Sequence, residues 1–567
     1  MSTVETQNVV AVRERLKGET FVWVTSMGLA LGLAMIAALL GLILINGISV
    51  FWPQRIAVIE LRDSAPDFHG GRRAIGQIMF EQDRDPRSLA PQQAADEDPA
   101  GRREMQLFTG NRDAFGQSFA FLSLDQVESV SYPRGIIRAE RKEFGDAVFL
   151  PLRLEWPDGR SLNAESPRFA GTLRRLVEEA ESRRREINRI ERFRIGRINE
   201  RMRDAQLEER YLLRTPGRSS SEDARLAELQ QRLTDLEAEF QPLAAEARAL
   251  RAVNQEVVLH YELSNGDSRS IPVGEVYSYY YANELTFLQR FGRFLSGGWR
   301  FVSRFPREAN TEGGIWPAIF GTFVMTVLMS IAVMPFGVVA AIYLREYAKQ
   351  GFLVRSVRIA VNNLAGVPSI VFGLFGLGFF VHLVGGTIDS LFFSKSLPDP
   401  TFKTGGILWA SFTLALMTLP VVIVATEEAL AAVPRGVREG SLACGASKWQ
   451  TIWHLVLPAS APGIMTGLIL AMARGAGEVA PLILVGVVAL APNLPLDRVF
   501  PFLHLERKFM HLGFHIYDLG FQSPDSEAAR PMVFATTLVL IAIVVVLNLT
   551  AIRIRNRLRR SHDASAF

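Results

Sequence analysis

The sequence predicts a mainly α-helical protein that crosses a membrane with six helices and carries an α/β insertion between its first and second spans. Three observations predict it. Six apolar runs are each long enough to cross a bilayer, which takes about 20 residues. The first run stands alone near the N-terminus, and the other five crowd after residue 310. The intervening stretch is highly charged and holds both strand-turn-strand patterns and a heptad of apolar residues.

Composition narrows the function. Phe outnumbers Tyr 37 to 10, a bias toward purely apolar rings that suits lipid. The net charge of +4 gives no global attraction to nucleic acid. Cys444 is the only cysteine, so an internal disulfide and a cysteine-based metal site are both excluded.

In chain order, residues 1–20 read as a cytoplasmic N-terminus and Phe21–Trp52 as the first span. That run contains no acid or base and exceeds the core of a signal peptide, so it reads as a retained anchor. Residues 53–310 read as an extracytoplasmic domain. Within it, "FLPLRLEWPDGRSLN" (149–163) and "VVLHYELSNGDSRSIPV" (257–273) alternate apolar and polar residues around Asp158-Gly159 and Asn265-Gly266, which predicts two β-hairpins.

Between the hairpins, residues 171–252 predict an antiparallel helical hairpin on a small β platform. Its second half spaces Leu226, Leu229, Leu233, Leu236, Phe240, Leu243, Ala247 and Leu250 three and four apart, as a coiled-coil seam requires. Pro242 should kink that helix. The Arg-rich first half carries Leu176, Ala180, Ile187, Ile190, Ile198 and Met202, and "TPGRSSS" (215–221) reads as the turn. Leu285–Phe305 mixes Phe, Leu and Trp with Arg and no acid, which suits an amphipathic helix at the outer membrane surface.

The remaining spans are expected near Ile315–Leu344, Ile359–Val384, Gly406–Thr426, Ala461–Ala489 and Met532–Ile552. Basic residues set their orientation. Arg13, Arg15 and Lys17, then Arg345, Lys349, Arg355 and Arg358, then Arg553, Arg555, Arg557, Arg559 and Arg560 fall on one side of a six-span arrangement. That side is read as the cytoplasm, and residues 556–567 as a cytoplasmic tail.

One polar stretch on that side carries the functional signal: "REGSLACGASKWQTIWHLVLP" (438–458). Ala429–Ala443 could form one helix. Gly445 allows a tight bend, Ser447 can cap a second helix through Leu457, and Pro458 suits the first turn of the next span. Two short helices around a sharp corner suit docking into a groove of another protein.

The stretch resembles the EAA loop of ABC-importer permeases, with Glu439, Gly445, Leu455, Leu457 and Pro458 at the matching positions and Gly440 and Ser441 in place of two alanines. "TEGGIWPAIFGTF" (311–323), "AAIYLREYA" (340–348), "NNLAGVPSIVFGLFGLG" (362–378), "ATEEALAAVPRGVREGSLACGASKWQTI" (425–452) and "ARGAGEVAPLIL" (473–484) narrow the resemblance to the phosphate-specific (Pst) type, PstA branch, with a long N-terminal extension. The resemblance implies an ABC-importer permease domain over 311–555, with its coupling loop at 427–458. It implies a non-enzymatic permease subunit of an ATP-driven phosphate importer, working with a second homologous permease, two ATPase subunits and an extracytoplasmic phosphate-binding protein in the inner membrane. No cofactor or metal is expected. The chain has no G-x-x-x-x-G-K-[ST] loop, so ATP would be bound by the partner ATPase.

Inside the fifth span lie Arg474 and Glu478, four residues apart and therefore expected on one helix face. Charges in hydrocarbon are expensive, so both should face the bundle or a water-filled path. A guanidinium suits transient binding of phosphate oxygens. The resemblance points at the same two residues as the substrate pathway. It also shows a departure: where relatives often carry Arg after the L-P-x-V-V pattern of span four, this chain has Val424. Pro368 could break the third span beside the path. The alternatives are a permease for another oxyanion, or a membrane-anchored coiled-coil scaffold or sensor.

Overall fold

The structure is a computed structural model. It describes residues 20–565 except 64, 84–102, 215–218, 308–309, 311, 398, 492, 498–501 and 524–525. The basic residues of the N-terminal stretch and most of the expected turn at 215–221 lie outside the described residues.

The first span is α1 (Thr20–Ser49), a 30-residue helix with no charged residue. Nearly all of it is exposed, and only its end packs on the last helix of the chain. Gly47 permits that approach, since a Cβ there would stand 3.0 Å from the Phe534 carbonyl oxygen.

Two antiparallel sheets follow. One orders its strands β4-β3-β2-β1-β5, with β1 Ala57–Leu61, β2 Arg73–Asp83, β3 Arg103–Phe108, β4 Phe119–Ser123 and β5 Val127–Ser131. The other runs β10-β9-β7-β6-β11, from β6 Ile137–Arg141, β7 Asp146–Glu155, β9 Val258–Glu262, β10 Ser268–Pro272 and β11 Val276–Tyr281, with β8 Ser161–Asn163 added to β7. Both expected hairpins are present. They turn through Gly159 and Gly266, each with φ above +80°, a region open to glycine at little steric cost. The β unit is nevertheless larger than two hairpins. Its β1–β5 pairing sets Leu61 opposite Val127, a long-range match that no local pattern reveals.

Between β8 and β9 rise α2 (Phe169–Arg189), a π-turn over Ile190–Ile195, α3 (Gly196–Arg214) and α4 (Ser220–Glu256). Phe169 and Leu173 bury against Phe149, Leu154 and Tyr261 of the second sheet, fixing the base of this arm. The helices run antiparallel: Arg183 meets Asn254 at 2.6 Å, Arg194 meets Glu246 at 3.3 Å, and Arg225 meets Glu208 at 3.1 Å. Every heptad position of α4 is buried or half-buried. Leu236, Leu243 and Ala247 pack on Ile190, Ile195 and Ile198. With Pro242 inside it, α4 runs as one helix from Ser220 to Glu256, because packing along one whole face outweighs one lost bond to the Ala238 carbonyl. The arm does not stand free. Arg210 pairs with Asp399 at 2.9 Å, Arg214 donates to the Leu397 carbonyl at 2.7 Å, and Arg507 lies 3.9 Å from Glu200. It therefore leans on the loops between later spans.

The expected amphipathic helix is α5 (Phe287–Ser303), capped by Thr286. Phe287, Leu288, Leu295 and Trp299 are exposed, while Phe301 is buried and Arg300 turns to the sheets.

The later spans are α6 (Trp316–Ile342, extended by a π-turn to Tyr347), the run from α8 (Ser369–Phe375) through a π-helical stretch to α9 (Gly386–Phe392), α10 (Ile407–Ala432), α13 (Leu457–Gly477) and, after the short α15 (Leu512–Tyr517), α16 (Ser526–Ser565). With α1 they make six helices, among the described residues, long and apolar enough to cross a membrane. Met325, Met329, Leu414, Met417 and Ala471 lie in the core that joins α6, α10 and α13.

Two expected spans change at their ends. The third was expected to begin at Ile359. Instead, α7 (Phe352–Leu364) is a separate helix, and the span starts after Pro368, whose ring disfavours helical geometry in the residue before it. The fifth was expected to run to Ala489. Its helix stops at Gly477, and a separate short helix, α14 (Ala480–Val485), follows. Pro481 accounts for the break, since it cannot donate to the preceding turn.

Candidate functional site

The corner is built from three breaks in helix geometry. Val433, extended at φ −71° and ψ 125°, precedes Pro434 and ends α10. The single helix expected over Ala429–Ala443 is therefore two, and the second is α11 (Arg435–Ala443). Gly445 then takes φ +86°, a left-handed conformation that costs other residues roughly 1–2 kcal/mol. A Cβ there would meet nothing within 4 Å, so the demand on this position is conformational and not steric. Ser447 caps α12 (Lys448–Thr451) in a reciprocal capping box with Gln450.

Past the corner the structure departs from expectation. No boundary falls at Leu457-Pro458. A π-turn over Ile452–Val456 joins α12 directly to α13, which carries Pro458 in its first turn. The altered register comes just before a residue that cannot donate, so the helix tolerates the ring. The second helix of the corner and the fifth span are thus one continuous rod, Lys448–Gly477.

The corner presents an exposed apolar surface. Val437, Leu442, Trp449, Trp453 and Leu455 are 43%, 48%, 56%, 52% and 41% exposed, and the two indoles stack at 5.5 Å. Glu439, Cys444 and Gly445 are exposed beside them, whereas Leu457 and Pro458 are half-buried. Clamps hold the corner against the end of α6. Arg438 pairs with Glu346 at 3.2 Å and donates to the carbonyls of Val433 and Leu430. Lys448 bonds the Glu346 carbonyl and sits over the Tyr347 ring. Ser441 and Thr451 close the inside of the bend at 2.9 Å.

The second element is the intramembrane charge pair. Arg474 lies in the last turn of α13, with Nε 3.9 Å from the Glu478 carboxylate. Glu478 does not continue the helical face. It is the first residue beyond the helix end, in extended geometry (φ −77°, ψ 137°). The pair therefore brackets a helix break and not a helix surface. The short α14 beyond it packs on α8, where Gly373 leaves room for the Pro481 backbone. Arg474 remains 38% exposed and Glu478 24%.

A model of the family described as "Binding-protein-dependent transport system inner membrane component" matches residues 333–561. The probable ABC transporter permease protein YqgI of Bacillus subtilis is 31% identical over 259 residues, covering 44% of this chain and 81% of that protein. The phosphate transport system permease protein PstA 1 of Mycobacterium tuberculosis is 34% identical over 260 residues, covering 46% of this chain and 76% of that one. The chain belongs to the PstA-type ABC-importer permeases. A solved MetNI methionine ABC transporter chain also overlays, at 18% identity and a TM-score of 0.30, covering 46% of this chain and 98% of that one.

The family match on this permease holds both the corner and the charge pair, and leaves the two sheets and the helical arm outside it. Sequence reasoning missed the clamp. Arg438 and Glu346 are 92 positions apart, and neither carries a local sign of the other. It also left Val424 without company. In the permease, Val424 lines a cavity of about 170 Å³ with Arg358 and Asn362 from α7 and with Glu427 and Glu428. Arg358 pairs with Glu427 at 3.3 Å, so a cation stands beside Val424, supplied by a different helix.

Proposed function

We propose that this permease is the membrane subunit of an ATP-driven phosphate import system. It would couple ATP hydrolysis by a partner ATPase to passage of phosphate across the inner membrane. The observation that carries this reading is the corner: an exposed apolar surface with stacked indoles, clamped to α6 and continuous with the helix that ends at Arg474 and Glu478. A push on the corner would act directly on that helix break. The PstA relatives supply the substrate class, and a guanidinium at the break suits an oxyanion.

In this reading Glu439, Gly445, Leu455, Leu457 and Pro458 form the surface and the bend that meet the ATPase. Arg474 receives phosphate, and Glu478 keeps it from being held too tightly. The assembly would contain a second homologous permease, two ATPase subunits and an extracytoplasmic phosphate-binding protein, with ATP bound by the ATPase. Positive-inside orientation places Arg345, Lys349, Arg355 and the 427–458 loop in the cytoplasm together with both termini. Residues 53–310 would then lie outside, with α2–α4 as an antiparallel coiled coil. Residues 311–555 would be the permease domain.

Phosphate uptake by cells carrying Gly445→Asp tests the reading. Uptake should be lost while the protein still inserts, because a charged side chain would sit at the docking corner in a disfavoured backbone geometry. Normal uptake at wild-type protein levels would remove the corner from the mechanism.

A further inference from the structure

A cavity of about 670 Å³ is lined by no residue of the corner or the charge pair. It lies where the ends of α1 and α16 meet α5 and the two sheets. Seven arginines and only three carboxylates line it. Arg138 is matched with Asp146 at 2.7 Å. Arg304 reaches away to Glu181 at 3.3 Å. Arg300 and Arg307 both bond Glu140, which also accepts from Ser278, and Glu312 adds attraction for Arg307 and Arg138. Arg300 Nε and Arg307 Nη1 are buried and have no partner. Arg293 lies over the Tyr280 ring at 4.6 Å and donates to the Tyr279 carbonyl, with no carboxylate in ion-pair range among the described residues. Burial of surplus cations with unused donors is unfavourable unless an anion joins them.

The opposite wall is apolar. Phe51 and Phe301 pack with tilted rings, centroids 5.2 Å apart, and Met532 and Phe534 belong to the last span. The exposed apolar face of α5 carries Phe287, Leu288 and Trp299, which suits a helix lying at a membrane surface. The cavity thus combines forked cationic donors with walls supplied by α1, α5 and α16.

We propose that this cavity binds a phosphate group at the membrane surface, delivered either by an anionic phospholipid headgroup or as free phosphate. Guanidinium forks match the oxygens of such a group. The volume falls within the roughly 300–1,000 Å³ of small-molecule sites. A bound lipid would join the first span to the sheets and α5. The site is separate from Arg474 and stands or falls independently of phosphate transport.

The test uses the purified full chain in nanodiscs of phosphatidylcholine with and without phosphatidylglycerol, and in detergent with inorganic phosphate. Lipid retained through detergent exchange is counted by native mass spectrometry, and the phosphate titration is read as thermal stability. Phosphatidylglycerol should be retained in preference to phosphatidylcholine. Arg293→Gln should weaken that preference roughly tenfold, the scale of one lost hydrogen bond from a charged donor. Arg293→Lys should keep part of it. Stabilisation by inorganic phosphate that Arg293→Gln abolishes, without lipid preference, would identify free phosphate as the source and also support the site. Absence of both effects in the wild-type chain, or equal effects in Arg293→Gln, overturns the proposal. The wild-type comparison alone decides if the variant is not monodisperse.

Discussion

Arg474 is the residue on which the proposed phosphate path rests. It stands at the end of α13 with a carboxylate 3.9 Å away and an open side. Arg474→Gln should reduce phosphate uptake by about tenfold or more, from the loss of about 1.5–3 kcal/mol in hydrogen bonds from a charged donor. Arg474→Lys should retain part of it, since charge survives while the fork does not. Uptake assays at matched membrane levels check this, and full activity in both variants would make the pair structural. Glu140 tests electrostatics in the sheets. Burial pushes its carboxyl up, but Arg307 and Arg300 beside it and the Ser278 hydrogen bond outweigh burial and hold it below the usual carboxylate range. Its contribution to stability is therefore full above the unfolded value of about 4.3 and is lost as pH falls through the lower folded value. Thermal melting of the full chain should fall across that window, and Glu140→Gln should flatten the fall. An unchanged acid slope would dissociate Glu140 from acid stability.

At the scale of elements, the corner and α13 form one unit. The π-turn at Ile452–Val456 carries α12 into α13 without a joint, while Arg438, Lys448 and Glu346 tie the bend to α6. Cys444 caps α11 on the exposed side of the bend. As the only cysteine, it reports which way the loop faces. A membrane-impermeant maleimide should label Cys444 in inside-out vesicles and leave intact spheroplasts unlabelled. Labelling of intact spheroplasts would invert the proposed orientation. The arm behaves as an element in its own right, since α4 seals a continuous face against α2 and α3.

For the molecule as a whole, the arm's contacts matter. Arg210, Arg214 and Glu200 touch residues 397, 399 and 507, in loops between the later spans. The corner, the charge pair and the spans all lie outside the arm. Arg194 and Glu246 meet at 3.3 Å, so a short Gly/Ser turn can join 194 to 246 with little strain. The shortened chain should fold and keep measurable phosphate uptake. Complete loss of uptake, with the ATPase still co-purifying, would make the arm part of transport, perched as it is on those loops.

The sequence by itself determined what local pattern can specify. Apolar run length set the six spans, the heptad of α4 set its buried face, Asp-Gly and Asn-Gly set the hairpins, and Gly445 with Ser447 set the corner. Each is a property of neighbours within one or two turns. The tertiary structure decided what depends on partners far apart in the chain. It joined strands 57–131 into a second sheet, ran α4 through Pro242, and leaned the arm on the later loops. It placed Glu478 past a helix end because Pro481 and the packing of α14 on α8 cost less than a straight helix. It matched Arg438 with Glu346 and set Arg358 beside Val424. It also gathered seven arginines from separate elements around one cavity. Charge surplus of that kind exists only after folding, since no short window of sequence brings those side chains together.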